Sequence, residues 1–484
     1  MKSPEYAELA EHRGRQWLLG GLLLTLAWLP PVGFGAGLLV LFVLWRDSPA
    51  LTLLILFVAI VTRGVLGAPG PLPGRVVRPA DEPELAALVQ DVADRLGFRR
   101  PLLVRIVPDV RASLGRARVS GVRTRVLLLG LPLLRTLTEA QLASVIAHEL
   151  AHERHVSSPR ATLLRYSRAR SAERLEGRFR PLAPLAGALL RASQPVLWRA
   201  ETAADADAAR IAGTAATAGA LRRTALVGSV FERLGETWLS QLAEEESYPE
   251  DFYDALDAAL SDPHVARRAA RAAAEDDALD PYATADHPPL RQRLAALPTH
   301  PEAPYGPAPL GLRTAATVET WCLRQITGHE DGGTATDGTP VRLLGTDADR
   351  RRQLEDGTGP LLLCLTTRRK APEEAVAVAL DAIADGTWPR LARRLEPSLR
   401  RAPAAARDRL ARSALMAAVS RTLVGPLRAA GWTPAGPWLD TVLTAPDGGD
   451  AVDVHQLVGE ALDSGDPGPL RALPMSAGPR EKTG

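Results

Sequence analysis

The pattern of apolar and polar positions is most distinctive at the start of the chain. Residues 17–45 and residues 50–62 contain no charged side chain and are rich in Leu, Ile, Val and Phe. About 20 apolar residues span a bilayer, and Pro30-Pro31 is expected to kink the first run. With Arg46-Asp47 as a polar turn between the runs, the pattern predicts that residues 1–67 form an N-terminal tail and two transmembrane helices.

The charges that flank these runs predict the orientation of the hairpin. Arg63, Arg75 and Arg78 follow the second run, and positive charges near the ends of a membrane span favour the cytoplasmic side. Two crossings therefore place the rest of this multi-pass protein of the cell membrane in the cytoplasm. Two alternatives stay open. A signal peptide is disfavoured by the length of the run, and three short crossings split at Pro30-Pro31 would reverse the orientation.

The pattern changes after the predicted hairpin. Residues 68–83 are rich in Pro and Gly and are predicted to be a linker. Apolar residues from Leu85 to Leu96 recur at helical spacing and predict a helix that ends at Gly97. Short β-like stretches follow at 102–107 and 124–129, so the sequence predicts a small sheet beside helices.

The stretch TLTEAQLASVIAHELAHERH then takes up a helical period. Thr138 and Gln141 fit a capping box, which predicts that the helix begins there. Helical patterning resumes over about residues 182–242, with interruptions predicted at Pro181, Pro184, Pro195 and Gly213.

Charge and cysteine content restrict the classes of function. The chain has 58 Lys and Arg residues against 56 Asp and Glu residues, which excludes the strongly basic footprint of a nucleic-acid-binding domain. Cys322 and Cys364 are the only cysteines, so there is neither a disulfide framework nor a cysteine metal cluster. Any metal must be held by His, Asp or Glu side chains.

The sequence HELAH at 148–152 has the spacing of a metal site. His148 and His152 are four residues apart, so they project from one face of a helix and both imidazoles can reach one zinc ion. In this H-E-x-x-H arrangement Glu149 is directed at the metal-bound water as the general base. His155 lies on the same face and is predicted to be a rim residue.

A catalytic zinc needs a third protein ligand. The local solution, a histidine six residues after His152, is excluded because Ser158 stands at that position. A glutamate on a later helix is the other solution, and Glu201 in ETAADAD fits it. Asp205 is one turn further along, where it can accept a hydrogen bond from the outer nitrogen of a ligating histidine. Asp207 is the alternative for this supporting role.

Three motifs together give the chain a resemblance to a known family. HELAH at 148–152, ETAAD at 201–205 and HPPLRQRL at 287–294 occur in the order found in membrane-associated zinc metallopeptidases, the family of the HtpX heat-shock proteases and the CAAX prenyl endopeptidases. The resemblance covers about residues 80–300 and the membrane hairpin. It implies that His148, His152 and Glu201 bind one zinc ion per chain.

The resemblance also implies roles that spacing alone does not indicate. It makes Glu149 the base, places Asp205 behind the ligands and puts His287 near the cleft, where it helps to stabilise the oxyanion; a turn histidine before Pro288 is the alternative. It further implies that an edge strand pairs with extended substrate, a role that we assign to the stretch containing Thr124, Val126 and Leu128. The family's usual Asn-Ala pair ahead of that strand is replaced here by Arg111-Ala112, which leaves substrate preference open.

These observations predict an α+β, mainly helical fold. Its parts are the transmembrane hairpin, a zincin-like catalytic domain at residues 84–304, and a smaller C-terminal domain of mixed α/β character at residues 305–484, whose role the sequence does not indicate. The expected function is that of a zinc endopeptidase acting on membrane or misfolded proteins, with the lipid bilayer and a protein or peptide substrate as partners. A non-cleaving membrane scaffold and a prenyl-protein processing protease are the alternatives, and the oligomeric state is not predicted.

Overall fold

A computed structural model of the protein describes residues 14, 16–28, 72–119, 121–156, 159–176, 183–239, 247–276, 287–327, 339–342, 354, 359–397, 399 and 404–473. The second predicted membrane span and the later part of the first lie outside these ranges. Within the described ranges, no helix has both the length and the apolar character that crossing a membrane requires.

The elements of the first part of the chain are, in order, α1 (residues 16–28), β1 (Arg75–Val76), α2 (Pro83–Leu96), β2 (Leu102–Val107), β3 (Ala112–Val119), β4 (Val122–Gly130), α3 (Leu131–Thr136), α4 (Glu139–Val156), α5 (Pro159–Glu176), α6 (Ala183–Ala212), α7 (Thr214–Leu234), β5 (Ser247–Pro249), α8 (Phe252–Ser261), α9 (Pro263–Asp276), α10 (Leu290–Ala295) and α11 (Ala315–Ile326). The described fold is therefore mainly helical with small sheets, as predicted for an α+β protein.

The main sheet has four strands in the order β1-β2-β4-β3. β2 and β4 are parallel, whereas β1 and β3 pair antiparallel with β2 and β4, respectively. The predicted stretches at 102–107 and 124–129 both form strands, but β3 was not predicted as one. Its sequence ASLGRARV lacks the apolar alternation that identifies a half-buried strand.

The presence of β3 contradicts the prediction that the stretch with Thr124, Val126 and Leu128 is an edge strand. These residues lie on β4, which is an inner strand: Val126 is paired with Leu103 on one side and with Gly115 on the other. The backbone hydrogen bonds of an inner strand are used within the sheet. An added peptide therefore cannot pair with β4 at Val126 or Leu128, which have strand partners on both sides, and β3 occupies the edge of the sheet instead.

The main core lies between this sheet and the helices. Buried apolar side chains from α2, β4, α3, α4, α7 and α8 form one cluster, which includes Leu88, Leu127, Leu133, Ile146 and Val230. Val318 and Cys322 of α11 belong to the same cluster, although they lie beyond the boundary predicted at residue 304. That boundary stays a prediction.

Helix α6 differs from its prediction in one respect. It runs without a break from Ala183 to Ala212 and contains Pro195 in its interior, whereas an interruption was predicted there. The break predicted at Gly213 is confirmed: Gly213 has φ of 93°, and a β-carbon at this position would come within 2.8 Å of the carbonyl oxygen of Pro301. The continuous helix carries Glu201 and Asp205 on its C-terminal half.

The elements of the C-terminal part are β6 (Thr339–Val341), α12 (Gly359–Thr367), α13 (Pro372–Ala384), α14 (Trp388–Leu395), α15 (Ala404–Ala429), β7 (Thr433–Pro434), β8 (Val442–Thr444), β9 (Val452–Asp453), α16 (Val454–Ser464) and α17 (Gly468–Arg471). Helices α12 to α16 share a second core, and β7, β8 and β9 form a small antiparallel sheet. This part packs on the first core through Trp438, whose ring lies 6.2 Å from that of Trp238.

Candidate metal centre

Helix α4 carries the HELAH motif, and its start is fixed by the predicted capping box. The Thr138 N–H donates to Oε1 of Gln141 and the Gln141 N–H donates to Oγ1 of Thr138, each at 3.2 Å. Leu142, Ile146 and Leu150 on one side of α4 are buried in the core. The helix packs along α6, and the motif histidines lie in this contact between the two helices.

Three ligand atoms converge between α4 and α6. Nε2 of His148 and Nε2 of His152 are 3.1 Å apart, and the Glu201 carboxylate oxygens lie 3.4 Å from the first and 3.3 Å from the second. A tetrahedral zinc ion with ligand distances near 2.0 to 2.1 Å separates its ligand atoms by about 3.3 to 3.4 Å. Two imidazoles and one carboxylate at this spacing fit a zinc ion in both geometry and donor type.

Glu149 is a second carboxylate beside these atoms. Its ligand oxygen lies within 4.8 Å of the ligand nitrogens of His148 and His152. Glu201 has one carboxylate oxygen 3.4 Å from His148 and the other 3.3 Å from His152, the spacing expected of a third ligand. We therefore assign Glu201 as the third ligand and Glu149 as the carboxylate that faces the reacting atoms. Burial raises the pKa of Glu149 above its usual range, which makes it a stronger base.

Asp205 supports the ligands from behind. Its Oδ1 lies 2.9 Å from Nδ1 of His148, so the carboxylate favours a proton on Nδ1 and leaves Nε2 free to bind a metal. Arg293 on α10 donates two hydrogen bonds to the same carboxylate, from Nε at 2.8 Å and from Nη2 at 2.7 Å. All three side chains are largely buried, so this chain of contacts fixes the orientation of the His148 ring.

Without a metal ion, the histidines and the carboxylate of the site have pKa values that are shifted in different directions. Burial lowers the pKa of His152, as does the nearby charge of His148, to about 3, so its ring is neutral and its lone pair is available. Burial alone would raise the pKa of Glu201, but hydrogen bonds from His148 and His287 outweigh it and hold this pKa well below its usual range. Burial would likewise lower the pKa of His148, yet Asp205 and Glu201 raise it to about 9.

His287 lies at the same centre, where the resemblance placed it. Its Nδ1 is 2.6 Å from Oε2 of Glu201, although it is 86 positions away in the sequence. The ring is 58% exposed, in contrast to the buried ligands. It therefore forms part of the accessible rim of the site and directs its other nitrogen away from Glu201.

The choice between Asp205 and Asp207 is decided by their contacts. Asp207 binds His155 through Oδ2 at 3.0 Å and Arg210 through Oδ1 at 2.9 Å, and neither partner belongs to the ligand group. Asp205 contacts His148 directly. His155 is thus held in a separate ion pair, in agreement with its prediction as a rim residue.

Sequence reasoning did not identify two functional contacts. Arg293 was noted only as part of HPPLRQRL and was given no role, because its partner is on a distant helix. Glu153 was not given a role either, yet it contacts Arg125 of β4 and lies 3.2 Å from Nε of Arg100. The only sequence signal for either contact is a charged side chain near a motif.

A comparison with protein families agrees with this geometry. The model described as Peptidase family M48 matches residues 79–300, a range that contains all the candidate ligand residues together with His287 and Arg293. Neither the curated proteins nor the solved structures gave a match to the chain.

Proposed function

Because the family match over residues 79–300 identifies this chain as a metallopeptidase of family M48, we propose that it is a membrane-anchored, zinc-dependent endopeptidase. We propose further that it cuts exposed segments of membrane or misfolded proteins. The observation that carries the proposal is the convergence of Nε2 of His148, Nε2 of His152 and the Glu201 carboxylate within 3.4 Å of one another. The Glu149 carboxylate lies beside them.

Each side chain of the site has a separate role in the proposed reaction. A zinc ion held by His148, His152 and Glu201 would lower the pKa of water and polarise the scissile carbonyl. Glu149 accepts a proton from the attacking water and delivers it to the leaving amine. His287 keeps Nδ1 on Glu201, so its other nitrogen is the one that meets the developing oxyanion of the substrate.

The substrate pairs with β3 in this proposal, in place of the inner strand β4. β3 is the last strand of the main sheet, and no strand in the described part of the chain bonds to its outer edge. An extended peptide added there would gain main-chain hydrogen bonds. The Arg111-Ala112 pair, which departs from the family's usual Asn-Ala, lies at the start of β3, so the departure falls on the substrate-binding strand.

Membrane attachment is supported by the two uncharged runs and by the surface of α1. Leu19 and Leu23 of α1 pack against Leu164 and Leu190. The other side of the same helix exposes large apolar side chains, namely Trp17, Leu18, Leu22 and Trp28. An apolar helix surface of this kind fits lipid better than water. The charges that follow the second run favour a cytoplasmic catalytic domain.

The scaffold alternative requires that the site be blocked or incomplete. In the described part of the chain, the ion pairs and side-chain hydrogen bonds of the ligands and of Asp205 are made with one another, with His287 and with Arg293. The C-terminal part instead contacts α9, where Arg268 binds Thr441 and Asp453. This arrangement favours an active enzyme.

A comparison of membrane proteins in cells tests the function and finds the substrate. Cells that carry Glu149→Gln are expected to accumulate uncut proteins that disappear in cells with the wild-type chain, because the variant keeps its ligands but loses its base. Glu232→Gln, at an exposed position on α7, is the matched control and is expected to behave as wild type. If the protein patterns of Glu149→Gln and Glu232→Gln cells are the same, the proposed function is wrong.

A further inference from the structure

The hairpin formed by β3 and β4 carries an unbalanced set of positive charges. Residues 111–125 contain five arginines and no acidic residue. The register places Arg116 opposite Arg125 and Arg118 opposite Arg123. Like charges directly opposite one another destabilise a strand pair, so folding alone gives no reason for this arrangement.

Only part of this charge is neutralised within the protein. Arg125 contacts Glu153, and Arg111 lies 3.0 Å from Asp109. The other three arginines of the hairpin are exposed, and no carboxylate in the described part of the chain forms an ion pair with them; they are Arg116, Arg118 and Arg123. A negatively charged ligand would neutralise these three arginines.

Arg116 and Arg118 lie on the sheet face that packs against the main core and helix α4. Alternate residues of a strand share a face, so Arg116 and Arg118 lie on the side of Leu114, which packs against the main core. The cross-strand partner of Arg116 is Arg125, and Arg125 contacts Glu153, the residue directly after the ligand His152. The positive charge is therefore next to the helix that holds the metal ligands.

The middle of β3 is also open to another backbone. Gly115 lies at the outer edge of the sheet, and a β-carbon there would meet only the carbonyl oxygen of Val126 at 3.8 Å. Packing within the fold therefore does not require a glycine. Glycine inside a strand often marks a place where another backbone approaches closely, which fits a peptide bound along this edge.

From these observations we propose that Arg116 and Arg118 select substrate segments with carboxylates at alternate positions, of the form Glu-x-Glu or Asp-x-Asp. The inference rests on the proposed function, because it assigns a preference to the same substrate strand. A peptide paired with β3 places every second side chain on the arginine face. An opposite-charge pair across two strands favours binding by up to about fivefold, so two pairs are expected to favour it by up to about 25-fold.

Three internally quenched decapeptides of otherwise identical sequence test this preference on the purified full-length enzyme. The first has two Glu residues at alternate positions, the second has Gln at both, and the third has the two Glu residues at successive positions. The proposal predicts that kcat/KM is about tenfold higher for the first peptide than for the second. The third peptide has the same charge but presents one carboxylate to the arginine face, so an intermediate value is expected.

Two double variants test whether the peptide preference depends on Arg116 and Arg118 or only on the net charge of the protein. In Arg116→Gln/Arg118→Gln, the ratio of kcat/KM for the first and second peptides is expected to fall to about one. Arg390→Gln/Arg393→Gln removes two exposed arginines from α14 and is expected to keep the ratio of the wild type. Fluorescence anisotropy of the same peptides on the Glu149→Gln background gives the affinity ratio without turnover.

The outcomes distinguish this inference from the proposed function. If no peptide is cut, the proposed function fails. If the peptides are cut but at equal rates, or if the ratio survives in Arg116→Gln/Arg118→Gln, only the charge preference is wrong. An anionic lipid surface is the competing ligand: protection of residues 112–123 from hydrogen exchange in nanodiscs with anionic lipid, together with equal peptide rates, would assign the arginines to lipid and overturn the inference.

Discussion

At the scale of single residues, Asp205 connects the metal ligands to the rest of the fold. It contacts His148 on one side and accepts two hydrogen bonds from Arg293 on the other. A carboxylate at this distance favours a proton on Nδ1 of His148, which would leave the other ring nitrogen free to bind a metal. We therefore propose that Asp205 is a positioning residue and not a ligand.

Asp205→Asn is expected to lower zinc affinity by about 10- to 100-fold, because an amide neither matches the charge of the carboxylate nor fixes the histidine tautomer as firmly. Zinc affinity is measured by competition with a chelator of known strength. Asp207→Asn is the matched control, since Asp207 contacts His155 and Arg210 instead of a ligand. Equal affinities for the two variants would contradict the role given to Asp205.

Single residues also show what the sequence can and cannot indicate. His148, Glu149 and His152 follow from helical spacing alone, and Glu201 from the need for a third ligand. Arg293 acts through a contact 88 positions away, and neither spacing nor composition indicates such a partner. His287 was placed at the centre only by the resemblance to a known family.

At the scale of elements, a buried ion pair joins α4 to the sheet. Glu153 contacts Arg125 of β4, and both side chains are nearly 90% buried. Removal of one partner leaves a buried charge without compensation. The pair therefore holds the helix with the metal ligands at a fixed position beside the strands.

Glu153→Ala is expected to lower the free energy of unfolding by about 3 kcal/mol and the melting temperature by about 3 to 6 °C. The full-length protein is measured by thermal unfolding. Glu236→Ala is the control, because the pair between Glu236 and Arg233 is exposed and exposed pairs contribute about 0 to 1 kcal/mol. A similar melting temperature for both variants would show that the pair does not fix α4.

Two elements show why the edge of the sheet was predicted at the wrong strand. β2 and β4 were identified because buried strands are rich in apolar residues. β3 is an edge strand with a glycine and two exposed arginines, so it lacks that signal and the sequence does not predict it. With β3 missing, β4 was assigned to the edge. The continuity of α6 through Pro195 was missed because packing outweighs the local preference of proline.

At the scale of the whole molecule, the N-terminal segment is expected to hold the catalytic domain at a membrane. The two uncharged runs and the exposed apolar side chains of α1 both favour contact with lipid. The C-terminal part has a core of its own and contacts the catalytic part through Trp438 and Arg268. Its contacts lie on α9 and near Trp238, at a distance in sequence from the ligands.

The full-length protein is expected to stay in the membrane fraction after a wash with alkaline carbonate, because apolar spans are not released by loss of ionic contacts. Protease added to the cytoplasmic side is expected to cut the catalytic domain. The chain without residues 1–71 serves as the comparison and is expected in the wash. Release of the full-length protein would contradict the membrane hairpin, and protection of its catalytic domain would contradict the orientation.

The central claim is that Glu149 is the base of a zinc site formed by His148, His152 and Glu201. Zinc content and peptide cleavage, measured on the same sample of Glu149→Gln, test it most directly. The account predicts about one zinc ion per chain and a fall in kcat/KM of about 10²- to 10⁴-fold relative to the wild type. A variant that keeps its zinc and cleaves within threefold of the wild-type rate would contradict the account.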